Sequence, residues 1–335
     1  MERYADLVTH LQTVLPPDAR PSLSSSVIPT IIHCIAGIAK ALRTSHQVSL
    51  AGTANAFGDD QLNVDVLAER TIRDEIARCP CIVTASSEEE PIERPAGKSE
   101  SNADSEGSEA YTIAFDPLDG SSIIAPNWTV GTIVGIWCGA SALHQSPEKK
   151  QIAAILGVYG PRTTAIVAIR LPGSKPICLE LGLGDSNNDT ATCEIIRGKV
   201  QLQQQPPFKT RYFAPANLRA AAEDERYMKL VTHYIEHKYT LRYSGGLVPD
   251  VIHALVKGHG IYVSPVTATS KAKLRRLYEL APIALIMECA GASAVDPTTG
   301  KRILEDPIKD CDERGGLVCG SPDEVSFVLE SFGLQ

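Results

Sequence analysis

The chain has 335 residues, 43% hydrophobic and 21% charged, with 40 acidic against 32 basic side chains for a formal net charge of −8. This composition excludes disorder along the whole chain, and the length predicts two lobes or one large domain. The acid excess argues against nucleic-acid binding as the main activity, because that footprint is an excess of Lys and Arg. Nine cysteines, at 34, 79, 81, 138, 178, 193, 289, 311 and 319, form no CxxC pair, which favours a reducing cytosol over a disulfide scaffold. Early acids and the lack of an uninterrupted apolar run at the N-terminus disfavour a signal or transit peptide.

Residues 3–15 and 26–44 carry apolar side chains at helical spacing, Val27, Ile31, Ile32, Ile35, Ile38 and Leu42 among them, and predict packed helices. A third helix is expected over 61–78, with Leu62, Val66, Ile72 and Ile76 as its stripe and Pro80 beyond its end. Residues 91–109 are Ser- and Glu-rich without aliphatics after Ile92, as in a mobile surface loop. Strands follow at 111–115, 129–137, 153–160, 163–171 and, more weakly, 193–198. Residues 120–147 hold no Asp, Glu, Lys or Arg, yet Gly, Pro, Ser, Thr and Asn punctuate them, so buried strands and loops are expected there, not a membrane span.

The polar stretch QLQQQPPFK (201–209) reads as a connector, with a soft boundary near residue 200 between an N-terminal lobe (1–200) and a C-terminal lobe (201–335). Helices are expected over 217–237, after Pro249, and over 271–290 with an interruption at Pro282. A short strand is expected at 261–263. A last helix has Ser321 as cap, Pro322 in its first turn and Glu324 completing a capping box.

The strongest chemical signal is Phe115-Asp116-Pro117-Leu118-Asp119-Gly120-Ser121-Ser122. A strand delivers Asp116, Pro117 forces a turn, and Asp119 returns to the same side. Small residues at Gly120, Ser121 and Ser122 let backbone N–H groups approach an anion. Hard oxygen ligands beside an anion cradle suit Mg²⁺ or Mn²⁺ with a phosphate. Two more acidic clusters, Glu88-Glu89-Glu90 after an apolar run and Asp59, Asp60 and Asp65 around a helix start, also lie at element termini. Each alone has a plain structural reading as turn cap, solvated loop or helix cap. Three together favour a shared metal site.

FGDDQLNVDVL (57–67), SSEEE (86–90), FDPLDGSS (115–122), GTIVGIW (131–137), YGPRTT (159–164), KYTLRYSGGLVPDV (238–251) and KAKLRRLYELAP (271–282) together resemble the fructose-bisphosphatase superfamily. LRYSGGLVPDV, YGPRTT and SKAKLRRLYE are most similar to its sedoheptulose-1,7-bisphosphatase branch. The resemblance runs in register from about residue 50 to the C-terminus. It implies an α+β fold, the layered αβαβα sandwich of the sugar phosphatases. The implied activity is Mg²⁺-dependent hydrolysis of the 1-phosphate of sedoheptulose-1,7-bisphosphate, with a fructose-1,6-bisphosphatase or a bifunctional enzyme as the alternative.

Position by position, the resemblance makes Asp59, Glu88, Asp116, Asp119 and Glu279 metal carboxylates and the Leu118 carbonyl a further ligand. Asp65 and Glu89 match the family's non-ligand acids, which activate water and move protons. Asn217, Tyr243 and Lys273 would hold the distal phosphate, with Arg275 on the same predicted helix as Lys273. Arg242 would reach in from a neighbouring subunit of a homodimer or homotetramer, and Tyr278 would pack under the sugar. Ile123 and Ser264 stand where the fructose enzymes usually have Asn and Tyr, and both match the seven-carbon branch. The plastid enzymes' regulatory cysteines are absent from LAGTANAF (50–57), so a cytosolic role without that thiol switch is expected. The first fifty residues match the nucleotide-inhibitor pattern poorly, and AMP inhibition is not expected.

Other constellations carry less. His233 and His237 have a zinc-compatible spacing but lack the HExxH glutamate and read as helix decoration. Cys79 and Cys81 read as small buried residues. No GxSxG motif and no full Walker GxxxxGK[ST] loop are present, and the missing WDxAGG disfavours an inositol-monophosphatase type. A catalytically silent sugar-phosphate sensor is the alternative from another class, disfavoured because every matching acid is retained.

Overall fold

The computed structural model describes residues 4–16, 20–54, 60–97, 109–185, 191–204 and 206–334. Helices α1 (Ala5–Val14) and α2 (Ile28–Thr44) precede a two-stranded ribbon of β1 (Leu50–Ala54) and β2 (Asp60–Leu62), which leads into α3 (Asn63–Ile76). With the π-helical turn Leu23–Val27 before it, α2 is long and apolar enough to cross a membrane. Its stripe of Ile28, Ile31, Ile35 and Ile38 is buried in the protein's own core instead.

The chain then builds its main sheet from β3 (Ile82–Ser87), β4 (Arg94–Pro95), β5 (Tyr111–Asp119), β6 (Val130–Cys138), β7 (Gln151–Tyr159), β8 (Thr163–Ile169), β9 (Ile177–Asp185) and β10 (Ala191–Arg197). Short helical turns α4 (Ser121–Ile124) and α5 (Pro147–Lys150) interrupt the strands. The spatial order is β10-β9-β8-β7-β6-β5-β3-β4. Every pair is antiparallel except β3 and β5, which run parallel.

Alternate residues of these strands enter two different cores, because successive side chains point to opposite faces. Tyr111, Ile113, Phe115, Ala153, Ile155, Ala165 and Val167 meet α1, α2 and α3. Ala114, Ile133, Trp137, Ala154, Leu156 and Ile166 face the other way. Burial on both faces explains why the strands read as continuous apolar runs.

The second half supplies β11 (Tyr212–Pro215), α6 (Glu225–Glu236), β12 (Thr240–Leu241), α7 (Leu247–Lys257), β13 (Ile261–Ser264), β14 (Leu274–Arg275), α8 (Ala281–Cys289), β15 (Ser293–Val295), β16 (Arg314–Gly315), β17 (Leu317–Gly320) and α9 (Pro322–Phe332). A five-stranded sheet has the order β12-β11-β13-β17-β15. Helices α7 and α8 lie between the two sheets, and α8 is apolar on every side from Ala281 to Met287, as a helix sandwiched on both sides must be. Helices α6 and α9 close the far face against Phe213, Ile261, Val263 and Val318. The layers therefore run α, β, α, β, α.

Several elements differ from the sequence reading. Strand β9 was not predicted, because its glycines and Glu180 mask the pattern. The single helix expected over 217–237 is a 3₁₀ turn, Leu218–Ala222, followed by α6, whose cap is Asp224 accepting the Arg226 N–H at 2.8 Å. The helix expected over 271–290 is β14, a π-helical turn at Arg276–Leu280, and α8 with Pro282 in its first turn. The capping box at Ser321 does not form. Ser321 Oγ accepts the Gly260 N–H at 3.3 Å, and Glu324 accepts the Tyr239 hydroxyl at 2.6 Å. Of the loop expected over 91–109, Arg94–Pro95 is β4, and residues 98–108 lie outside the described residues.

Candidate active site

Parallel pairing of β3 and β5 brings their carboxyl ends together, and the Glu88 N–H donates to the Phe115 carbonyl at 3.0 Å. Acids following β3 therefore meet acids ending β5. The sequence predicted a turn at Pro117, whereas the strand continues to Asp119 through a bulge. Asp116 pairs with Ile133 and Asp119 with Gly131, three residues of β5 matching two of β6. A bulge re-aims side chains, and this one turns both aspartates to one side.

Asp116, Asp119 and Glu279 place carboxylate oxygens within 4.8 Å of one another, all buried. Glu279 comes from the π-helical turn Arg276–Leu280, a local over-winding frequent at functional sites. Burial, then the charges of Glu88, Asp119 and Glu279, holds Asp116 well above the ordinary carboxylate range. Burial and Glu88 do the same for Glu279. Burial pushes Asp119 up to about 7 against two backbone hydrogen bonds that favour its charge. Three buried carboxylates so close repel one another unless a cation lies between them. An all-oxygen donor set of this kind fits a hard divalent cation.

The site is braced from several elements. Asp119 accepts the N–H groups of Leu247 at 3.0 Å and Val248 at 2.6 Å, the first residues of α7. Gly120 sits in the left-handed region at φ +95°, where a Cβ would meet Val130 and Ile123 at 3.2–3.3 Å. Ser121 Oγ donates to Asp65 at 3.0 Å and lies 3.2 Å from the Leu118 carbonyl, while Ser122 is exposed. Asp65, 3% exposed, also accepts the Leu62 N–H at 2.9 Å, and burial raises its pKa. Glu89 accepts from Gln61, and burial, with the charges of Asp65 and Glu88 behind it, pushes it up to about 7. Glu90 instead pairs with Arg94 at 2.7 Å and Arg73 at 3.4 Å. Asp59 lies outside the described residues.

Arg275 does not lie on a helix beside Lys273. It is in β14, 3% exposed, with Nη1 2.6 Å from Glu88 and its backbone N–H donating to Glu279 at 2.5 Å. Its charge thus stands among the acids. Lys273, in the loop before β14, is exposed. Tyr278, expected under the sugar, is 0% exposed in the core between the sheets and has no surface to offer a ligand.

Asn217 and Tyr243 converge, the tyrosine hydroxyl meeting the Asn217 backbone N–H, with Tyr243 44% exposed. Arg242 donates its N–H to the Phe213 carbonyl at 2.9 Å and lies 5.7 Å over the Tyr212 ring. The following turn is pinned by Asp250, which accepts the Ser244 N–H at 2.6 Å, its hydroxyl at 2.8 Å and the Gly245 N–H at 3.2 Å. Ile123 abuts that turn, about 3.1 Å from where a Gly246 Cβ would stand. Sequence reasoning missed Asp250, Gln61 and the α7 N–H pair. An acid in the first turn of a helix after Gly-Gly was the available signal for the first.

Residues 18–187 match the family described as Fructose-1-6-bisphosphatase, N-terminal domain, and residues 207–332 match Fructose-1-6-bisphosphatase, C-terminal domain. The chain belongs to the fructose-1,6-bisphosphatase family. It is therefore a phosphatase by descent. The chloroplastic sedoheptulose-1,7-bisphosphatase of Spinacia oleracea is 37% identical over 302 residues, 88% of this chain and 72% of the relative. The class 1 fructose-1,6-bisphosphatase of Syntrophotalea carbinolica is 34% identical over 306 residues, covering 89% of this chain and 87% of the relative. A crystal structure of a candidate sedoheptulose-1,7 bisphosphatase from Toxoplasma gondii superposes with a TM-score of 0.82 at 34% identity, covering 98% of each chain.

Proposed function

We propose that this chain hydrolyses the 1-phosphate of sedoheptulose-1,7-bisphosphate, releasing sedoheptulose 7-phosphate and phosphate, with Mg²⁺ as its cation. The observation that carries the reading is the buried triad of Asp116, Asp119 and Glu279, set in a chain with sedoheptulose-bisphosphatase relatives at 37–41% identity. Asp116, Asp119, Glu279 and Glu88 would hold the cation, with the Leu118 carbonyl and Asp59 adjoining. A bound divalent cation neutralises charge developing on the phosphate oxygens.

The protein's own groups do the rest. Arg275, fixed on Glu88, adds a positive charge at the reacting phosphate. Asp65 and Glu89 would orient a water and take its proton. Glu89, pushed up to about 7, is suited to exchanging one near neutral pH. Backbone N–H groups at Gly120, Ser121 and Ser122 would approach the reacting phosphate. Asn217, Tyr243 and Lys273 grip the distal phosphate, and Arg242 of the partner subunit completes that grip in a homodimer or homotetramer. Ile123, lying against the Gly245–Gly246 turn, sets the distance between the two phosphate sites.

Fructose-1,6-bisphosphate is the second substrate to weigh, since class 1 fructose-1,6-bisphosphatases at 30–34% identity also span about nine-tenths of the chain. Phosphate release from the two sugars side by side decides between them. A clear preference for the seven-carbon sugar supports the assignment. Equal or reversed preference overturns the substrate and leaves the metal site standing.

A further inference from the structure

At the end of the molecule remote from the acids, the sequence Cys79-Pro80-Cys81 joins α3 to β3. Pro80 breaks the helix, and hydrogen bonds fix the turn on both sides: Cys79 N–H to the Ile76 carbonyl at 3.0 Å, Ile82 N–H to the Cys79 carbonyl at 3.0 Å, and Tyr111 N–H to the Cys81 carbonyl at 2.8 Å. The turn holds the two sulfurs 3.4 Å apart. Cys79, though only 6% exposed, lines a cavity of about 370 Å³ bounded by Tyr4, Thr30, His33, Glu75 and Arg78. A sulfur paired with a second thiol and facing a void of that size differs from the inert buried cysteine that sequence alone suggested.

We propose that Cys79 and Cys81 form a thiol-modification site, Cys79 being the nucleophile and Cys81 the resolving thiol, and that its co-substrate is a low-molecular-weight disulfide of the glutathione class. The Cys79 thiolate attacks one sulfur of the disulfide, forming a mixed disulfide and expelling one glutathione thiolate. Cys81 then loses its proton and attacks the Cys79 sulfur, and the second glutathione leaves. Two protein thiols are oxidised and one glutathione disulfide is reduced to two thiols. Closing the protein disulfide brings the sulfurs from 3.4 Å to about 2.05 Å.

The cavity supports the assignment of roles, because Cys79 lines it. The hydrogen bond shared by the two thiols, joined by one from Thr30, lowers Cys79 despite its burial, and the shared bond and burial raise Cys81. Glu75 and Arg78, which face the cavity, neutralise each other at 2.5 Å. Elsewhere burial raises Cys34, Cys178 and Cys319, takes Cys193 up to about 11 and Cys289 up to about 12, and also raises Cys311. Cys138 lies against Arg20 at 2.8 Å and is the natural competitor.

The test is to incubate the reduced full-length protein with oxidised glutathione at pH 7, quench with acid, and map thiols by peptide mass spectrometry. Cys79 should react at least tenfold faster than any other cysteine. The wild type should end with a Cys79–Cys81 disulfide and no retained glutathione, and Cys81→Ser should retain glutathione on Cys79. Phosphate release by Cys81→Ser, unchanged from wild type before oxidation, checks that its fold is intact. Modification falling first on Cys138 or Cys311, or an even spread over the nine cysteines, overturns the proposal. Mapping the wild type alone decides this even where a variant misfolds.

Discussion

The carboxylate of Asp119 accepts the backbone N–H of Val248 at 2.6 Å across 129 residues of chain. Helix N-termini carry unpaired donors and a partial positive charge, so the first turn of α7 both positions this acid and eases its charge. Asp250, three residues into the same helix, pins the Ser244–Gly245 turn that follows Tyr243. One helix thus couples the acid cluster to the turn after Tyr243, and under the proposed function the separation of the two phosphate sites follows from its packing.

That packing is tight at Gly131, which pairs with Asp119 in the ladder and where a Cβ would stand 2.5 Å from Val248. Gly131→Ala must push α7 off β6. It should destabilise the protein by about 1–3 kcal/mol, the range for overpacking, read as a lower urea midpoint. Phosphate release should fall as well, because the N–H groups on Asp119 move with the helix.

Arg275, 3% exposed, faces Glu88 at 2.6 Å. Arg275→Met removes the cation facing Glu88 and should destabilise the protein by about 2–3 kcal/mol, below the range for half a fully buried pair because Glu88 is partly exposed. Adding Glu88→Gln should restore most of that stability without restoring turnover. Urea denaturation of the single and double variants, beside a phosphate assay, separates the structural from the catalytic part.

Mutual repulsion among Asp116, Asp119 and Glu279 stores instability in the metal-free protein. Glu279→Gln keeps an oxygen to accept the Arg275 N–H and removes a charge. Metal-free Glu279→Gln should therefore be more stable than wild type by about 0.5–2 kcal/mol, as when a functional site is relaxed. Adding Mg²⁺ should raise the wild-type melting temperature and move that of the variant much less. Thermal scans with and without Mg²⁺ check both.

His253 stacks edge-on against Tyr212 at 4.5 Å, and burial, with Arg242 and Lys257 nearby, pushes its pKa down to about 4. The unfolded chain takes up this proton near pH 6.5, before the folded one does. Its contribution is complete above pH 6.5 and is lost as pH falls toward 4. Stability measured across that window should decline less steeply in His253→Gln than in wild type.

The fold was legible where burial is two-sided and β-branched, as in β6, β7 and β8, because a continuous apolar run has few other homes. It was obscured where tertiary contacts override local pattern. Glu180, paired with Arg197 at 3.1 Å, disguised β9, and helical spacing over 271–290 hid the β14 bridge and the π-helical turn that present Arg275 and Glu279. The acids around Asp116 were legible as types and spacing. The bulge that aligns them was not, since it depends on the register of β5 against β6. Burial of Tyr278 was equally invisible beside an active-site glutamate one residue away.

Whether the cluster around Asp119 performs phosphate release is read most directly from Mg²⁺-dependent phosphate release from sedoheptulose-1,7-bisphosphate by wild type and Asp119→Asn. Asparagine still accepts one of the two α7 N–H groups, so the variant should fold. Its turnover should fall by about 100-fold or more, the scale of losing one preorganised charge contact. Full turnover in folded Asp119→Asn would contradict the account.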